Sequence, residues 1–212
     1  MKILNVFDSN LTAGEKVCII APGPNGSQHY HEIPKDFTKI VVNKAIQIEE
    51  VKPDWWIIAH TNTSWFNKAD RHYSGTRVYS YRALPSISKT ALKMSADKVY
   101  FFYLEKEPLR DDIVLPINGL IRYGASVSAL AIQLAYNLGA KEILLCGVDM
   151  SGNSYWDKTE NEDPEVLDVH GDIWSSVKRL NPLLHYLRNE LNIKVSTLSE
   201  SKLDIPYYTK ES

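Results

Sequence analysis

A chain of 212 residues is long enough for one sizeable domain, or at most two small ones. With 44% hydrophobic and 24% charged residues it has the composition of a soluble globular protein, and a net charge of -2 gives no support for broad nucleic-acid binding, which needs a basic face. The opening "MKILNVFDSN" is too short in apolar residues for a signal peptide, and no run approaches the roughly 20 apolar residues that span a bilayer. Cys18 and Cys146 sit in apolar runs without CxxC spacing, which predicts buried thiols, a reducing cytoplasmic setting and no zinc site.

Apolar, β-rich runs recur along the chain at Lys16–Ala21, Lys39–Asn43, Trp55–His60, Arg77–Tyr81, Lys98–Leu104, Glu142–Val148 and Lys194–Leu198. Several are continuous rather than alternating, the pattern of strands covered on both faces. Between them, "GASVSALAIQLAYNLGA" predicts a helix with Val127, Leu130, Ala131, Leu134, Ala135 and Leu138 on one face and Gly139 as its C-terminal stop. A second helix is predicted over Ile173–Leu191, with Val177, Leu180, Leu184, Leu187 and Leu191 inward and Pro182 marking a kink or a restart. Strand–helix alternation of this kind predicts a single three-layer, Rossmann-like α/β domain over residues 1–212 with a mainly parallel sheet. Residues 151–172, polar and acidic, exceed an ordinary αβ connection and read as a disordered excursion or a lid.

In open α/β sheets ligands bind outside the C-terminal strand ends. Here those ends carry "APGPNG" (with Gly23, Pro24, Asn25 and Gly26), Asn43, the run His60, Thr61 and Asn62, and Asp149. The first loop reads as a cradle of backbone N–H groups for a phosphate or as a plain turn. Asn43 suits a base or ribose edge, or a helix cap. Ser126 or Ser128 either caps the long helix or meets an anion there, since both uses share one geometry.

His170, flanked by Asp168 and Asp172, has the surroundings of a general base. Tyr155 and Trp156 stand in the polar segment, either to close over a ligand or to pin the loop to the core. His29, His31, His72 and His185 have no comparable context; His29 and His31 are spaced as a metal pair without an evident third ligand. Trp65, Tyr73, Tyr79 and Tyr81 are candidate exposed aromatics for acceptor or homo-oligomer contacts.

"GASVSALAIQLAYNLGAKEILLCGVDMSGNSY" resembles a segment shared by two related groups. One is the bacterial family-42 sialyltransferases; the other is the pterin-pyrophosphokinase-like family that includes motility-associated glycosyltransferases for flagellin. The resemblance is concentrated between Gly124 and Gly152. It implies that "APGPNG", Asn43 and the Gly124–Ser128 helix start contact a nucleotide, that Tyr155 binds the leaving phosphate, and that His170 is the catalytic base. The first loop departs from the sialyltransferase pattern Gly-Asn-Gly-Pro-Ser, with Ala21, Pro22, Gly23, Pro24 and Asn25 in its place.

The implied function is transfer of a sugar from a CMP-activated donor to a glycan acceptor, with no cofactor required. The alternatives are a Mg-dependent pyrophosphokinase acting on a pterin alcohol with ATP, for which Asp149 and the acidic segment would supply carboxylates, and a noncatalytic nucleotide-binding module.

Overall fold

The computed structural model describes residues 2–59, 73–80, 98–102, 104–105, 121–122, 126–150 and 173–210. In chain order the strands are β1 (Lys2–Asn5), β2 (Lys16–Ile20), β3 (Thr38–Val42), β4 (Trp55–Ile58), β5 (Thr76–Ser80), β6 (Lys98–Phe102), β7 (Leu104–Glu105), β8 (Ile121–Arg122), β9 (Glu142–Cys146) and β10 (Lys194–Thr197). The described α-helices are α1 (Val127–Asn137) and α2 (Ile173–Asn189). Eight strands form one sheet in the order β1-β6-β5-β4-β3-β2-β9-β10, and every neighbouring pair is parallel. The α/β fold with a parallel sheet expected from the sequence is therefore present. Strands β7 and β8 pair separately.

Each predicted run overlaps a strand to within a residue or two at its ends, because continuous apolar sequence lets both faces of the pleat be buried. Along β2, Val17 and Ile19 point into one core while Cys18 and Ile20 point into the other. The first core lies under α1 and α2, where Leu130, Leu134, Leu180, Leu184 and Leu187 are buried. Each such leucine contributes roughly 1.5–3 kcal/mol by leaving water. The second core is roofed by Tyr30, Ile33, Phe37, Ala45, Ile48 and Val51. Those residues lie in or beside short 3-10 helices joining β2 to β3 and β3 to β4 (Pro24–Gln28, Tyr30–Glu32 and Asn43–Gln47). So the layers differ: α-helices cover one face, and among the described residues short turns cover the other.

Two expectations change in detail. Helix α1 is not amphipathic: every residue from Ser128 to Ala135 is buried, and the lone amide, Gln133, donates to the Ala129 carbonyl at 3.0 Å. A helix apolar all round belongs inside the protein rather than on its surface. Tyr79 is fully buried in the second core, and Tyr73 is half-buried with its ring set edge-on to Trp56. Neither is a free surface aromatic, while Trp65 and Tyr81 lie outside the described residues.

Helix α2 runs through Pro182 without a restart, and Val177, Leu180, Leu184 and Leu187 face inward as expected. Beyond β10, the Thr197 N–H donates to the Pro206 carbonyl and the Tyr208 N–H to the Thr197 carbonyl. The chain there covers the outer edge of β10. No helix among the described residues is long and apolar enough to cross a membrane. Cys18 and Cys146 are free and buried, and burial pushes the Cys146 thiol up to about 12, so it remains neutral.

Candidate functional site

The strand order reverses at β2: its neighbour on one side is β3, on the other β9. A parallel sheet opens a crevice beyond the C-terminal strand ends at such a point. Leading off those ends are the first loop after β2, Asn43 after β3, and Gly147–Asp149 after β9.

Helix α1 brings its N-terminus to the same edge. At its other end, the Thr12 hydroxyl and the Ala13 N–H both donate to the Leu138 carbonyl, beside the entry to β2. The helix therefore runs antiparallel to the strands. Its 11 residues rise about 16 Å, matching the roughly 16 Å of the five-residue strand β2, so Ser126 lies level with the C-terminal strand ends. Gly139, at φ 100°, ends the helix: its N–H donates to the Tyr136 carbonyl, and the Ala140 N–H reaches the Ala135 carbonyl.

The first loop and the turn after β9 interlock. The Gly23 N–H donates to the Gly147 carbonyl at 3.0 Å, and the Asn25 N–H donates to Asp149 Oδ2 at 2.6 Å. A methyl group on Gly23 would overlap both the Gly147 carbonyl oxygen and the Asp149 carboxylate; one on Gly26 would lie 2.7 Å from the Gly147 Cα. Glycine is needed at both positions for this approach.

The Gly26 N–H donates to the Gly23 carbonyl, and the Asn25 side-chain amide donates to the Glu200 carbonyl at 3.1 Å. Pro22 and Pro24 have no N–H to offer. The N–H groups of Gly23, Asn25 and Gly26 thus have partners within the protein, and the loop is a closed turn rather than an open ring of donors.

Asp149 is 3% exposed. Burial pushes its carboxyl up to about 6, with Glu200 adding to the rise; the Asn25 N–H, the Ser199 hydroxyl and His29 act in the opposite direction. Asn43 takes a left-handed backbone at φ 43°, which asparagine tolerates better than most residues. Its side-chain oxygen accepts from the Ala59 N–H at 3.1 Å and its carbonyl accepts from Trp56 Nε1 at 2.9 Å. These bonds fix Asn43 at the junction of β3 and β4. Ser126 caps α1, accepting from the Ala129 N–H at 3.1 Å, and Ser128 is buried in the first turn.

Of the residues singled out from sequence, Gly23, Pro24, Asn25 and Gly26 meet Asp149 directly or through one turn of chain, and Asn43 and Ser126 share their edge. His60, Asn62, Gly124, Tyr155 and His170, with the lid segment 151–172, lie outside the described residues. Sequence reasoning missed Ser199 and Lys44, both buried beside these strand ends. In "STLSES" the serines look like the polar exit of a strand, and only the partners across the sheet distinguish Ser199. No group of three or more His, Cys, Asp or Glu side chains that could hold a metal occurs among the described residues.

No family model matches the chain. No curated protein matches it in sequence. Solved structures do match. The sialyltransferase CstII from Campylobacter jejuni, in complex with the substrate analogue CMP-3FNeuAc, is 18% identical over 92% of this chain and 87% of that one, with a TM-score of 0.51. The same enzyme with cytidine-5'-monophosphate aligns at 19% identity over 87% and 80% of the two chains, with a TM-score of 0.46. The monofunctional α-2,3-sialyltransferase Cst-I from Campylobacter jejuni aligns at 14% identity over 93% and 83%, with a TM-score of 0.43. The CMP-3FNeuAc-bound overlay identifies the parallel α/β fold of this chain as sialyltransferase-like.

Proposed function

We propose that the chain is a glycosyltransferase that moves a sugar from a nucleotide donor, a CMP-sugar, to a hydroxyl of a glycan acceptor. The observation that carries this reading is a fold shared, over most of the chain, with a sialyltransferase bound to a CMP-sugar analogue. In support, the first loop, Asn43 and the capped start of α1 gather at one edge, at the reversal of strand order.

The nucleotide lies along a wall built from Gly23, Pro24, Asn25 and Gly26, supported from beneath by Asp149, with Asn43 at the neighbouring strand end; His60 and Asn62, which follow β4 in sequence, are assigned to the same nucleotide. The start of α1, with Ser126 and Ser128, carries the positive end of the helix dipole towards the donor phosphate, to which Gly124 and Tyr155, the latter as a hydroxyl donor, are also assigned. In the transfer, the acceptor oxygen bonds to the anomeric carbon as the bond from that carbon to the phosphate oxygen breaks. CMP leaves with the electron pair, and His170 takes the acceptor proton. Negative charge grows on the departing phosphate, which is where fixed donors lower the barrier. The step balances without a metal.

A thermal-shift titration with CMP, UDP, GDP and ATP, the last with and without Mg²⁺, tests the donor class. CMP is expected to raise the melting temperature, since saturation to 100 times Kd adds about 2.7 kcal/mol to the folded state. A response to ATP only with Mg²⁺ would instead support the pyrophosphokinase, and CMP binding without turnover of any CMP-sugar the noncatalytic module. His170→Ala is expected to leave CMP binding intact and slow transfer by about 10²–10⁴; unchanged transfer would remove His170 as the base.

A further inference from the structure

We infer that Asp149 and Ser199, with the segment running on to Lys202, are positioning residues of the nucleotide site: they set the first loop from behind. The inference rests on the nucleotide reading above and extends the site to a stretch of chain which that reading does not include.

Three segments distant in sequence meet here. The Asp149 carboxylate lies between two of them, accepting from the Asn25 N–H on Oδ2 at 2.6 Å and from the Ser199 hydroxyl on Oδ1 at 3.4 Å. The Ser199 hydroxyl oxygen in turn accepts from the Gly147 N–H at 2.9 Å. On the far side, the Lys202 N–H donates to the Asp149 carbonyl and the Ser201 hydroxyl to the Val148 carbonyl, at 3.0 and 2.6 Å. The Asn25 amide closes the circuit on the Glu200 carbonyl. Both Asn25 donors thus face the clasp.

The same loop could be held by a neutral asparagine or by packing, at less cost than a carboxylate buried to 3% exposure. A buried anion aimed at one backbone N–H gives something those lack: a short, charge-assisted bond that leaves the loop a narrow range of positions. Gly23 and Gly26 add a steric constraint, since their missing side chains let the loop lie directly on Gly147. A wall held in this way is ordered before the nucleotide arrives, which removes an entropic cost from binding. Ser199 is fully buried, so its hydroxyl acts through Asp149 and Gly147 rather than by touching a ligand.

The test compares Asp149→Ala, Asp149→Asn and Ser199→Ala by two readouts. Amide hydrogen exchange over residues 21–28 follows the loop without any nucleotide, with α1 as the internal control for folding; CMP titration follows the site. Asp149→Ala and Ser199→Ala are each expected to speed loop exchange and weaken CMP by about tenfold or more, with α1 protection intact. Asp149→Asn keeps one acceptor oxygen of the same shape but not the charge, and is expected to recover only part of both losses. If Asp149→Ala does not fold, Ser199→Ala carries the comparison alone.

Loop exchange unchanged in folded variants would overturn the clasp. Faster loop exchange with unaltered CMP affinity would overturn its positioning role. If the unmodified chain binds no CMP, the nucleotide reading itself fails, and the exchange data still decide whether the clasp holds the loop.

Discussion

Asp149 was visible in the sequence as the polar end of an apolar run, but its surroundings were not. The residues that hold it, Asn25 and Ser199, lie 124 and 50 positions away, distances at which no local pattern reports contact. Its ionisation has a defined consequence for stability. The folded-state carboxyl is pushed up to about 6 from an ordinary 3.8, mainly by burial. Below the ordinary value both states hold the proton. Between the two values the folded state holds it and the unfolded chain does not, so this group's contribution to stability falls as pH rises through that window. Urea unfolding from pH 3.5 to 7.5 is expected to show the stability of the unmodified chain falling relative to Asp149→Asn up to about pH 6, then running parallel. The charged neighbours in this titration are Glu200 and His29, with Tyr30 and Cys146 the other ionisable groups near it.

At the scale of elements, strand positions were legible because a doubly covered strand must be apolar along its length. The exceptions follow the same physics. β1 is not legible: "KILN" begins and ends with polar residues and pairs on one side only, with β6. β3 ends one residue before the apolar run does in the sequence reading, because Asn43 leaves the pleat for a left-handed turn.

For α1, the stop at Gly139 is readable but burial of the opposite face is not, since small residues such as Ser128 and Ala129 mark close packing as readily as a solvent face. The stop itself is testable. At φ 100°, Gly139→Ala introduces a side chain into backbone disfavoured for every L-residue, and is expected to destabilise the fold by about 1–2 kcal/mol in denaturant titration. A loss below a few tenths of a kcal/mol would mean that the turn relaxes freely.

At the scale of the whole molecule, strand–helix alternation was enough to predict a parallel α/β sheet, and the polar strand ends fall on the edge where open α/β sheets bind their ligands. Which loops interlock there was not legible, because that depends on β2 lying between β3 and β9, and strand order leaves no trace in periodicity.

The junction of β2 with β9 also bears on time. Lys16 pairs with Glu142, so the two halves of the candidate site come together only by closing more than half of the chain. Closing so long a loop is slow in itself, and contacts that depend on it are expected to form after the transition state. Gly23→Ala, which places a methyl group at that junction, is therefore expected to speed unfolding while leaving the refolding rate nearly unchanged in stopped-flow measurements. During synthesis the same geometry imposes an order: a ribosome-bound chain that has emerged only as far as α1 already displays the first loop and Asn43, yet lacks the strand that holds that loop in place. The candidate site is then complete only after the second half of the protein has left the ribosome.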